Sequence, residues 1–124
     1  MYAFGRSVTF ALTAFCAVTI ATGARAQEAP RGDAANGNRL YLSNNCFTCH
    51  GHSGQGGAYN GPAPVLAKTA LPFEAFLMQM RNPSNDMPAY AASVMPDQAV
   101  ADVLAFLQSL PGPRNPKDIA ILGN

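Results

Sequence analysis

The stretch Cys46-Phe47-Thr48-Cys49-His50 decides how this chain is read. Two thiols separated by two residues, with a histidine directly after the second, form the covalent attachment signature of c-type haem. The order suits the chemistry. The two cysteines sit far enough apart on a short turn to reach the two vinyl groups on one edge of a porphyrin, each forming a thioether. The imidazole that follows is carried under the ring, where a nitrogen binds the iron. Cys46 and Cys49 are the expected attachment points of one haem c, and His50 is its first axial ligand.

Other uses of the same residues fit less well. A thiol redox pair calls for a βαβ pattern, which the chain lacks. A closed zinc site needs a fourth ligand, and His52 is badly spaced to join Cys46, Cys49 and His50. His52 is also too near His50 to reach the opposite face of a haem, so it reads as a solvated loop side chain.

The N-terminus reads as an export signal. Arg6 precedes a nearly uncharged apolar run from Ser7 to Ala21, and Ala24-Arg25-Ala26 gives the small-x-small pattern of a cleavage site. Residues 1–26 are therefore expected to be a signal peptide, cut between Ala26 and Gln27. The apolar run falls short of the ~20 residues that a spanning helix needs, so no stable membrane insertion is expected after cleavage. Cys16 lies in the discarded run and follows the bulky Phe15, which argues against a lipid anchor. The remaining two cysteines both belong to the haem signature.

The 124-residue chain carries eight basic and seven acidic side chains. Loss of Arg6 and Arg25 leaves six against seven. That balance argues against a nucleic-acid partner, which calls for a basic patch. It also provides no broad lysine field for steering toward a strongly acidic partner. Residues 27–124 make one small domain, of a size whose own core is only marginally stable. A haem offers an apolar body to collapse around.

Helical patterns dominate the expected mature chain. Asp33 caps a helix through Leu40 and Tyr41 to about Asn44. Gly37 interrupts it at a cost of roughly 1 kcal/mol relative to alanine, which suggests a close approach by another helix. Gly51 to Gly61 is a glycine-rich loop, read equally as a connector or as backbone passing close to a flat ligand. It lacks the Gly-Lys-Ser/Thr ending of a phosphate loop. Pro72 opens a second helix as a first-turn residue, with Phe73, Phe76, Leu77 and Met80 on one face, ending at Arg81-Asn82-Pro83. Asp97 to Ser109 is the strongest helix, and Pro111-Gly112-Pro113 stops it. Ile119, Ile121 and Leu122 suggest that the tail 111–124 packs back on the body. No strand alternation is present, so the fold class is all-α.

The second iron ligand is sought among the methionines. Met78 and Met80 lie on the Pro72 helix, where methionine usually fills core. Met95 precedes the last helix, where an apolar residue packs as a staple. Met87 lies in a polar loop where no helix face calls for it, and Pro88 stiffens the backbone behind it. Met87 is the expected second axial ligand.

Together these stretches resemble the small class I c-type cytochromes of bacteria. The resemblance rests on Gly32-Asp33-Ala34 with Gly37 and Tyr41, on Cys46 to Gly51, on Pro64-Val65-Leu66, on Arg81-Asn82-Pro83 with Met87-Pro88-Ala89-Tyr90, and on Asp102 through Leu110. It implies a cytochrome c fold wrapping one covalent haem, with the first and last helices crossing where Gly37 and Tyr41 meet Val103 and Phe106. It also implies that a proline carbonyl orients the proximal imidazole. Pro64 has the matching Pro-x-Leu context and is preferred over Pro62, which has the preceding glycine. Arg81 is placed to reach a haem propionate or, alternatively, to act as a helix-end cation. The chain is shorter between haem and methionine than the mitochondrial members and lacks their lysine-rich surface.

With His50 and Met87 both bound, no position is open for substrate. The expected function is then one-electron transfer in the periplasm, not enzyme catalysis. The expected partners are redox proteins: a dehydrogenase or membrane complex on one side, an oxidase or another cytochrome on the other. The competing readings are a dedicated subunit of a periplasmic dehydrogenase complex and, if Met87 does not bind, a catalytic or sensory haem with one open position.

Overall fold

The computed structural model describes residues 28–57 and 63–121. The expected signal peptide and its cleavage point, Pro62 and Leu122 lie outside the described residues. Among the described residues four α-helices follow in order: α1 Ala34–Ser43, α2 Phe47–His50, α3 Phe73–Arg81 and α4 Asp97–Ser109. A 3₁₀ turn, Pro116–Asp118, lies in the tail. No strand occurs among the described residues, and the all-α expectation is met.

Local chemistry sets the ends of these helices. The Asp33 carboxylate accepts from the backbone N–H groups of Ala35 and Asn36, at 2.8 and 3.2 Å. It thereby satisfies two donors that a helix start leaves orphaned. Pro72 stands at the cap just before α3, one place earlier than expected, with extended backbone. Met95 and Val100 flank the start of α4, and both are buried. Their pairing is a hydrophobic staple.

The core is built where α4 crosses α1. Tyr41 of α1 meets Phe106 of α4 with ring centroids 5.4 Å apart and planes tilted by 55°, an arrangement aromatic quadrupoles favour. Gly37 is the reason the helices come so close. A methyl built there would overlap the Asp102 carbonyl and crowd Phe106 Cβ. Asp102, only 4% exposed, sits at the same crossing. Its carboxylate accepts from Asp33 N at 2.8 Å, Asn36 Nδ2 at 2.7 Å and Gln98 Nε2 at 2.9 Å. A buried carboxylate needs such partners.

α3 packs on α4 through Phe76 and Met80, which are one helical turn apart and both buried. Met78 does not fill the core as expected; it is 62% exposed. Two residues from either buried neighbour, it lies on the opposite side of a 3.6-residue turn. The tail also departs from expectation at Ile121, which is 85% exposed, although Ile119 is half-buried. No helix among the described residues is long and apolar enough to cross a membrane.

Candidate haem site

The attachment signature folds as a helix of a single turn, which the sequence suggested only as a turn. Asn45 enters it at φ 57°, and His50 N donates to Cys46 O at 3.0 Å. Cys46 and Cys49 are free thiols, both half-buried. Burial pushes the Cys46 thiol above its usual range. Cys46 and Phe47 pack against the core cluster. Phe47 also meets the ring of His52, centroids 4.4 Å apart. His52 is exposed, as expected, but the stacking contact was not foreseen.

The loop after His50 is tied down by its backbone. Tyr41 Oη donates to the carbonyl of Gly51 at 2.8 Å. Gly54 has φ 62°, in the left-handed region, and a Cβ there would stand 3.0 Å from Ala67 N. Its carbonyl accepts from Leu66 N and Ala67 N at 2.7 and 2.9 Å. Only glycine suits that conformation and that approach. These bonds bring the Pro64–Leu66 segment over His50. His50 Nδ1 lies 3.1 Å from the Pro64 carbonyl. A carbonyl can only accept, so Nδ1 carries a proton, and in the neutral ring this leaves the lone pair on Nε2.

Met87 lies between α3 and α4, half-buried and packed on the core cluster. Gln79 Nε2 is 3.7 Å from its sulfur and 3.3 Å from Ser84 Oγ. Neither contact has a local sequence signal, apart from the spacing that puts Gln79 on α3. Tyr90 follows three residues later. Its hydroxyl donates to Asn44 O at 3.1 Å, and burial pushes its pKa up to about 12.

Arg81 is half-buried. Its terminal nitrogens donate to Tyr90 O at 2.7 Å and Met95 O at 2.9 Å, and pair with Asp97 Oδ1 at 2.6 Å. Three of the five guanidinium N–H groups are thus engaged. Only the carboxylate of Asp97 bears a charge opposite to the arginine.

The residues present fit a haem. Two thiols stand on one turn, followed by an imidazole with its free nitrogen defined by Pro64. Phe47, Leu66, Leu77, Met87, Tyr90 and Leu110 are partly buried side chains packed on the core, apolar surface of the kind that a flat apolar ligand requires. Thioether and imidazole are donors that suit iron.

An all-α fold closed by a helix crossing, with this turn beside it, defines a c-type cytochrome domain. The chain belongs to the family described as cytochrome c oxidase, cbb3-type, subunit III, whose model matches residues 32–107. Neither the curated proteins nor the solved structures give a match. The domain carries covalent haem c, with Cys46 and Cys49 placed for attachment, and its work is electron transfer rather than catalysis.

Proposed function

We propose that this chain is a periplasmic one-electron carrier in which His50 and Met87 would hold the haem iron. The haem, when bound, supplies an iron that cycles between ferrous and ferric states. The protein's part is to hold and shield it. The observation that carries the reading is the His50–Pro64 bond at 3.1 Å. It fixes the ring's tautomer and orientation and leaves Nε2 available, as an outer-shell carbonyl does for a ligating histidine. Met87 supports the reading from the other side: a half-buried thioether in a loop, stiffened by Pro88, with an amide donor near the sulfur. Methionine opposite histidine favours the ferrous state and raises the potential. Pro64 serves as the orienting residue. The export signal expected over residues 1–26 supports a periplasmic location, with redox proteins as partners: a dehydrogenase or membrane complex as donor, an oxidase or another cytochrome as acceptor.

A potentiometric titration of the purified protein tests this. One electron per chain, together with slow carbon monoxide binding by the reduced form, is expected. Rapid carbon monoxide binding would mean an open axial position and a catalytic or sensory role.

A second reading is favoured by the family description, which names a subunit, and by Ile121, which stands 85% exposed in the tail. The chain would then be a cytochrome held permanently by a larger enzyme, such as a periplasmic dehydrogenase. A solution mass of one haem-loaded chain counts against it; a co-purifying catalytic chain supports it.

A further inference from the structure

We infer that Arg81 is a positioning residue for the iron's sulfur ligand: its guanidinium clamps the Met87 loop shut against the ends of the two helices that carry it. The inference rests on the assignment of Met87 as ligand. The chain leaves α3 at Arg81, passes Met87, and enters α4 at Asp97. Arg81 therefore sits at the loop's root, and it grips the loop's return at two carbonyls, Tyr90 O at 2.7 Å and Met95 O at 2.9 Å. Tyr90 N donates back to Met80 O at 2.9 Å, closing the same junction from the other strand of the loop. Tyr90 Oη fastens the loop to Asn44, just before the haem-attachment turn.

The guanidinium side chain is 19% exposed, and that of its ion-pair partner Asp97 is 56% exposed. An ion pair with so open a partner contributes little by itself. Its use is orientation: it turns the planar fork so that the remaining N–H groups meet the two carbonyls. Those are hydrogen bonds from a charged, half-sheltered donor, the stronger kind. A lysine nitrogen is a single point and cannot span the three acceptors. Met87 itself belongs to no helix. A weak thioether ligand on an otherwise free segment would bear the full entropy of ordering that segment at each binding event. The clamp orders it beforehand.

The test is imidazole binding to the ferric holoprotein, in which exogenous imidazole competes with the sulfur. It is followed through the weak long-wavelength band of methionine-ligated ferric haem. Arg81→Lys and Asp97→Asn are compared with the native chain. Arg81→Lys is expected to bind imidazole about tenfold to a hundredfold more readily, the range for losing hydrogen bonds from a charged donor. Asp97→Asn is expected to show a smaller increase of the same sign. Asp102→Asn, at the α1–α4 crossing, controls for loss of stability: it is expected to melt earlier with native-like imidazole binding. Native-like binding in Arg81→Lys, with the band intact, would overturn the clamp while leaving Met87 as the ligand. A changed pH dependence of the potential alongside that result would assign Arg81 to a propionate instead. A Met87→Ala protein that keeps the band would overturn the ligand assignment itself.

Discussion

Single residues carry the site, and not all of them announce themselves. Cys46, Cys49 and His50 are legible because covalent attachment demands one short spacing. Met87, the proposed sulfur ligand, is singled out in the sequence by contrast with its polar surroundings. The partners of Arg81 are not, because Met95 and Asp97 lie 14 and 16 residues away and a helix-end arginine has an adequate local explanation. Asp102 was open to notice as a carboxylate amid Val100, Ala101, Val103 and Leu104, but its partners Asp33 and Asn36 are remote in sequence. Burial raises its pKa, and the hydrogen bonds from Asp33, Asn36 and Gln98 outweigh that and lower it below the ordinary 3.8. A lowered folded-state pKa means stability present above 3.8 and lost as pH falls through the folded value. Asp102→Asn turns one acceptor into a donor facing donors. It is expected to cost about 1–3 kcal/mol near neutral pH, measured by guanidinium unfolding. The variant is also expected to lose less stability than the native chain between pH 4 and more acid conditions, by roughly the advantage that ionisation gave. Parallel acid limbs would show that the carboxylate charge contributes nothing.

Among the elements, α4 was the most legible, because its apolar face runs unbroken between Asp97 and the Pro111 stop. Its bounds fall where the pattern put them. α2 is one turn long and has no periodicity to read. Met78 and Met80 show where periodicity is too coarse: both fit a helix, and only the packing of α3 on α4 selects Met80 for the core. The crossing of α1 and α4 depends on Gly37. Alanine there gains roughly 1 kcal/mol of helix propensity. It also drives a methyl into the Asp102 carbonyl, which belongs to a helix backbone and has little room to retreat. Overpacking of this kind costs ~1–3 kcal/mol or more. The steric effect wins, so Gly37→Ala is expected to lower the unfolding midpoint. A raised midpoint would mean that the helices separate freely and that close approach is not what the glycine provides.

At the scale of the whole molecule, a small α-helical shell carries the haem-attachment turn, and the proposed function has that shell give one iron a fixed pair of ligands. The α1–α4 crossing supplies the frame, the backbone bonds from Leu66 and Ala67 to Gly54 hold the Pro64 carbonyl at His50, and the α3–α4 junction holds the methionine loop. Its electron-transfer class follows from that architecture and the family to which it belongs. The proposed function turns on the sulfur of Met87 as the second iron ligand. The most direct measurement is the near-red absorption of the ferric holoprotein, native and Met87→Ala, at equal haem content by pyridine haemochrome. A weak long-wavelength band is expected in the native protein and its loss in the variant, with the covalent haem retained. A band that survives the substitution, or a native protein without one, would contradict it.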